Sequence, residues 1–238
     1  MFPWVSDGTG AATLGLIVRL AVGVVLITAL VVPAQASAAP ELQTELERAS
    51  VRYGSAHTVT GSLMDGRTPL GGQAIVLEGR RYPYGGSYRV IERATTAADG
   101  SFEFEAELDR NHRLKVTAPA QGLTSDRMQA YTLPDIELSF RAVEPGVVRL
   151  YQRYTVPKRV RLSAPTLFYL GSRKAKRASV RRTGTLKRVR AGKYSSQATI
   201  RLPAGWNGAF RFASCFRASK GSGMGDPGQS CPRLRYRF

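Results

Sequence analysis

Arg233, Arg235 and Arg237 alternate with Leu234, Tyr236 and Phe238 at the end of the sequence. A strand there would line three guanidinium groups along one face. Arg159 and Arg161 flank Val160 in the same way, and Lys187, Arg188 and Arg190 precede a hairpin signal at Gly192. A guanidinium fork matches phosphate and carboxylate, and like charges side by side on a sheet repel, so such rows suit an external anion. A further run, Arg173-Lys174-Ala175-Lys176-Arg177, followed by Arg181-Arg182, has the composition of a nucleic-acid or heparin-type patch. The plainer account is a solvated face, because charges more than ~8 Å apart hardly interact at physiological ionic strength. Arg outnumbers Lys by 28 to 7, which suits anion contact and is also what a GC-rich genome produces.

Other chemistry is poorly supplied. His57 and His112 stand beside no nucleophile motif, and neither Gly-x-Ser-x-Gly nor His-Glu-x-x-His occurs. Glu103, Glu105 and Glu107 share a face, but their alternation with Phe102 and Phe104 explains them without a glycosidase mechanism. The run Gly221-Ser222-Gly223-Met224-Gly225 lacks the strand and helix a dinucleotide site requires and reads as a surface loop between Cys215 and Cys231. Those two cysteines are expected to form a disulfide, worth on the order of 3 kcal/mol; a metal site would lack further ligands. Tyr82, Tyr84, Tyr88 and Trp206 could stack on a neutral glycan, or simply close the ends of a core. The chain is therefore expected to be no enzyme and to need no cofactor or metal.

The net charge of +18 is unevenly placed. Residues 41–134 hold 11 Lys+Arg against 12 Asp+Glu, whereas residues 135–238 hold 23 against 4. Such a field attracts polyanions. The apolar stretch Leu20 to Val32, preceded by Arg19 and followed by Ala34-Gln35-Ala36-Ser37-Ala38, is a secretory signal with cleavage after Ala36 or Ala38, or else an uncleaved anchor. Behind an export signal, the expected partners are an anionic envelope polymer, an acidic glycan or membrane headgroups; nucleic acid is disfavoured. The expected location is secreted or extracytoplasmic.

The elements that must position these groups are strands. Phe102, Phe104, Ala106 and Leu108 alternate with glutamates, and Leu114 and Val116 alternate with Arg113 and Lys115 across a hairpin-length loop. Thr58 to Met64, Gln73 to Gly79 and Tyr88 to Thr96 read as further strands, punctuated by Asp65-Gly66, Gly71-Gly72 and Asp99-Gly100. The acidic residues 41–49 read as a linker or a helical turn. In the basic half, Ile136, Leu138 and Phe140, Val148 and Leu150, Val160 and Leu162, and Ala198, Ile200 and Leu202 alternate. The expected fold is all-β: two Ig-like or transthyretin-like antiparallel sandwiches in tandem, with divisions at 1–38, 39–50, 51–134 and 135–238.

Val59-Thr60-Gly61-Ser62-Leu63, Gly66, Pro69-Leu70, Gly72, Ile75 and Leu77, with Asp99-Gly100-Ser101-Phe102, resemble the carboxypeptidase regulatory-like (transthyretin-like) group of bacterial Ig-like domains. The insertion from Arg80 to Ser87 departs from that pattern. The resemblance covers about residues 51–130 and implies a noncatalytic spacer, adhesive or ligand-binding module, with no active-site residue.

Overall fold

The computed structural model describes residues 39–163, 166–172, 180–204, 210–215, 221–225 and 233–236. Their regular structure is strand throughout, apart from a 3-10 turn at Pro119–Gln121. Residues 1–38, where the sequence leads one to expect an export signal or anchor, lie outside them, and among the described residues no helix is long and apolar enough to cross a membrane.

Two sandwiches follow one another. The first uses β1 (Pro40–Leu46), β2 (Ser50–Arg52), β3 (Ala56–Asp65), β4 (Thr68–Pro69), β5 (Ala74–Arg81), β6 (Arg89–Thr95), β7 (Ser101–Glu107), β8 (His112–Ala118), β9 (Leu123–Thr124) and β10 (Met128–Leu133). One sheet runs β1-β3-β4 with β7 also on β3; the other runs β2-β10-β8-β5-β6 with β9 on β8. All pairs are antiparallel except the short β2–β10 pair. The inward halves of the alternations meet in a single core of Val59, Leu63, Ile75, Leu77, Phe104 and Leu114, together with their buried neighbours.

Two expectations change here. Residues 40–46 are not a linker: β1 pairs with β3 along its length, with Leu42 and Leu46 packed on the core and Glu41, Gln43 and Glu45 exposed. β7 and β8 are not hairpin partners either, since β7 joins β3 and β8 lies between β5 and β10 in the other sheet. Phe104 and Leu114 can thus approach one core from opposite sheets, which separates the glutamates of β7 from Arg113 and Lys115. Gly61 is required where β1 and β7 flank β3, because a Cβ would collide with the Gln43 carbonyl and the Phe102 ring.

The second sandwich uses β11 (Asp135–Glu144), β12 (Val147–Thr155), β13 (Thr166–Ser172), β14 (Val180–Gly184), β15 (Lys187–Arg190), β16 (Lys193–Arg201), β17 (Phe210–Cys215) and β18 (Arg233–Tyr236). Its sheets run β11-β12-β16-β15 and β14-β13-β17-β18. Two apolar clusters fill it, one around Leu150, Phe168, Leu170 and Ile200, the other around Tyr154, Val156, Val160 and Tyr194. Buried polar groups also occupy inward positions: the Ser214 hydroxyl donates to Gln152, and Thr166 and Ser196 share a hydrogen bond. Burial raises the Tyr154 phenol pKa, against a weaker opposing effect of Thr166. Val160 and Leu162 are buried but form no strand, because the chain turns at Pro157, whose carbonyl accepts from the Val160 N–H at 2.8 Å.

The glycine-rich run is not a surface loop. Ser222 to Gly225 are buried, and Met224 packs with Ile136 and Tyr154. The Asn111 backbone donates to Gly223 at 2.7 Å, its side-chain amide donates to Gly225 at 2.9 Å, and Gly225 donates to Thr132 at 3.0 Å. Glycine permits this close seat: Gly223 has φ +67°, and a Cβ there would press on the Tyr82 ring at 2.7 Å. A segment late in the chain therefore bonds the turn between β7 and β8 in the first sandwich.

Candidate anion-binding faces

The outward positions of the β11-β12-β16-β15 sheet alternate with its core positions. On β12, Val148, Leu150, Gln152 and Tyr154 are buried, leaving Arg149, Tyr151, Arg153 and Thr155 on the other face. Strand register sets them in rows. Arg141, Arg149 and Thr199 form one row; Ser139, Tyr151 and Gln197 the next. Glu137, Arg153, Ser195 and Lys187 form a third, and Asp135, Thr155 and Lys193 a fourth. Arg149 Nε donates to Thr199 Oγ1 at 3.2 Å, and Lys193 Nζ donates to Thr155 Oγ1 at 2.6 Å.

Neutralisation is sparse. Among the described residues, the ion pairs touching this sandwich are Arg201 with Glu144, at 3.4 Å and largely exposed, and Arg52 with Asp135, at 4.0 Å. Arg141 and Arg149 take part in neither. Directly opposed like charges on a sheet are unfavourable by up to about 1 kcal/mol, so the row is held against its own repulsion.

Of the sequence-expected groups, Lys187, Arg188 and Arg190 lie on the edge strand β15 and are all exposed. Arg159 and Arg161 are exposed on the turn beside buried Val160. Arg233 stands opposite Ala213 and Arg235 opposite Arg211, in rows alternating with the Leu234–Phe212 row that leads to buried Leu170. Arg173, Lys174, Lys176, Arg177, Arg237, Trp206 and Cys231 lie outside the described residues, and so does the pairing of Cys215, which closes β17 opposite Leu167. Arg141, Arg149, Arg153 and Arg201 join these faces without belonging to any of the sequence-expected basic runs. The signal in the sequence was the turn Glu144-Pro145-Gly146 between two alternations, which folds β11 onto β12 and brings Arg141 to Arg149.

The tyrosines of the insertion do not offer free rings. Tyr84 lies under the Arg113 guanidinium at 4.3 Å, and Tyr88 is approached by Arg80 at 4.5 Å and Lys115 at 4.9 Å. Gln129 donates to the Tyr84 hydroxyl at 2.9 Å, while burial raises that phenol's pKa. The insertion folds back on its own sheet and covers its cations.

The histidines are buried. Burial holds the His57 pKa at about 4, against the Arg48 backbone, with His112 adding to the depression. His112 is lowered by burial too, while its Nδ1 donates to the Arg110 carbonyl at 2.7 Å. A cleft of about 460 Å³ is lined by Glu47, Arg48, Ser50, Arg52 and Thr58 among others, and by neither histidine. Among the described residues no three His, Cys, Asp or Glu side chains group as metal ligands.

The fold and these faces define an all-β chain of two sandwiches, the second presenting a basic sheet surface. No family model and no curated protein matches the chain. One solved structure that does, the native conformation of E. coli alpha-2-macroglobulin, is 12% identical with a TM-score of 0.34. The match covers 85% of this chain and 14% of that one, so this chain spans only a small part of that protein's length.

Proposed function

We propose that the chain is a noncatalytic exported protein, secreted or held at the cell envelope, whose C-terminal sandwich docks on anionic surface material. The observation that carries this reading is the division of charge. Residues 135–238 hold 23 Lys+Arg against 4 Asp+Glu, and few of those cations find an acid among the described residues. A low-dielectric sheet with unneutralised guanidinium groups attracts and orients polyanions. The first sandwich, with its Asp99-Gly100 turn and the strands around Gly61 and Ile75, serves as a carboxypeptidase regulatory-like spacer. The hydrogen bonds that Asn111 donates to Gly223 and Gly225, and that Gly225 donates to the Thr132 carbonyl, favour a second, architectural contribution, in which the sandwiches act as one unit. Stacking of neutral glycans on Tyr84 or Tyr88 is disfavoured by the cations already against those rings.

Fractionation of cells expressing the full chain tests this. Recovery outside the cytoplasm, in an envelope fraction released by molar salt, is the expected result. Recovery in the cytoplasm contradicts it, and so does salt-insensitive envelope binding of a chain from which residues 1–38 have been removed after export.

A further inference from the structure

The fold brings Arg141 and Arg149 together as direct cross-strand neighbours, which places their Cβ atoms about 4.5–5.5 Å apart. Arg201 follows two positions from Thr199 on the adjoining strand, a diagonal neighbour of Arg149 at about 7–8 Å. Glu144 bonds Arg201, which leaves the Arg141–Arg149 pair without an acid among the described residues. Thr199 accepts from Arg149 Nε and so pre-orients the guanidinium while its terminal nitrogens remain able to donate. Two guanidinium groups on directly opposed strand positions are close enough for both to reach a single oxyanion.

We propose that this end of the β11-β12-β16-β15 sheet docks the acid groups of an anionic polysaccharide. The inference rests on the anion-docking reading above and adds to it a face and a class of polymer. The row pattern favours a glycan. Beside the arginine pair lies the neutral row Ser139–Tyr151–Gln197, rich in groups that bond hydroxyls, and cations return only at Arg153 and Lys187. Alternate positions on a strand are about 7 Å apart, so the Arg141–Arg149 row stands about 13–14 Å from the Arg153–Lys187 row, with Lys193 and Arg190 one row further on. A chain whose acid groups are interrupted by hydroxyl-bearing units fits that interval. A uniformly dense polyanion meets Glu137 in the third row. A bilayer would favour a contiguous apolar patch, whereas exposed Val143 and Val189 sit on the strands at opposite edges, β11 and β15.

The experiment uses the full chain with polygalacturonate, polyphosphate and phosphatidylglycerol vesicles as probes, across a salt series. The double variant R141Q/R149Q is compared with R89Q/R93Q, which removes the same charge from exposed positions on β6. Polygalacturonate affinity is expected to fall about tenfold in R141Q/R149Q, with the salt slope reduced by about one to two. R89Q/R93Q is expected to change affinity less than twofold, and both variants are expected to melt no lower than the wild type. Equal losses in the two variants, or tighter binding of polyphosphate or vesicles than of polygalacturonate, overturn the proposal. Wild-type binding that R141Q/R149Q leaves intact removes this site and spares the docking reading. Failure of the wild type to bind any of the three probes overturns both.

Discussion

Arg141 and Arg149 face one another across the β11–β12 hairpin with no acid paired to either among the described residues. A protein under selection for stability alone gains by replacing one of them. R141E is expected to turn the repulsive pair attractive and add about 0.5–1 kcal/mol. Thermal melting should show a rise of about 1–3 °C for a chain of this size. A melting temperature that falls would show the pair to be structural, with its charge already compensated.

The histidines make the fold acid-sensitive. His57 has an ordinary value of 6.5 and is held at about 4 by burial, so the folded state takes its proton later than the unfolded chain does. The stability it supports is therefore complete above about pH 6.5 and is lost as the pH falls towards 4, by on the order of 3 kcal/mol. His112 is shifted in the same direction. Urea midpoints at pH 7, 5 and 4 should decline, and H57L should flatten the decline. An unchanged pH dependence in H57L would show that His57 does not titrate in this window.

The Asn111 side chain accepts from the Thr132 N–H at 2.9 Å and donates to the Gly225 carbonyl at 2.9 Å. N111A leaves both buried backbone groups unmet and is expected to cost about 2–4 kcal/mol. Hydrogen exchange should accelerate first at residues 221–225, ahead of β3 and β5. Uniform acceleration throughout the chain would mean that the segment is not a separable contact between the sandwiches.

Period-two alternation made much of the first sandwich legible. β3, β5, β7 and β8 coincide closely with the runs of alternating apolar residues, because one face of each meets a single core. β1 was not legible: its inward positions are Leu42, Thr44 and Leu46, and a polar Thr in the middle leaves two leucines at a spacing equally suited to a helical turn. Sheet membership was hidden as well. A short loop joins β7 to β8 whether the chain turns within a sheet or crosses between sheets, and only the second choice lets Phe104 and Leu114 share a core. The basic rows were legible where arginine alternates strictly, at Arg233 and Arg235, and obscure where the row is assembled across strands. Arg141, Arg149 and Thr199 meet through register, which local spacing does not encode. The seat of Gly223 and Gly225 is equally long-range, because glycine-rich composition marks both a free loop and a close backbone approach.

In the proposed docking, the basic sandwich binds polyanions through unneutralised guanidinium groups. The most direct test is titration of the full chain with an anionic polysaccharide between 50 mM and 500 mM salt. Affinity is expected to fall steeply and linearly on a log–log plot, because the protein's cations displace counterions from the polyanion. Absence of binding at 50 mM salt, or affinity that stays flat across the series, would contradict it.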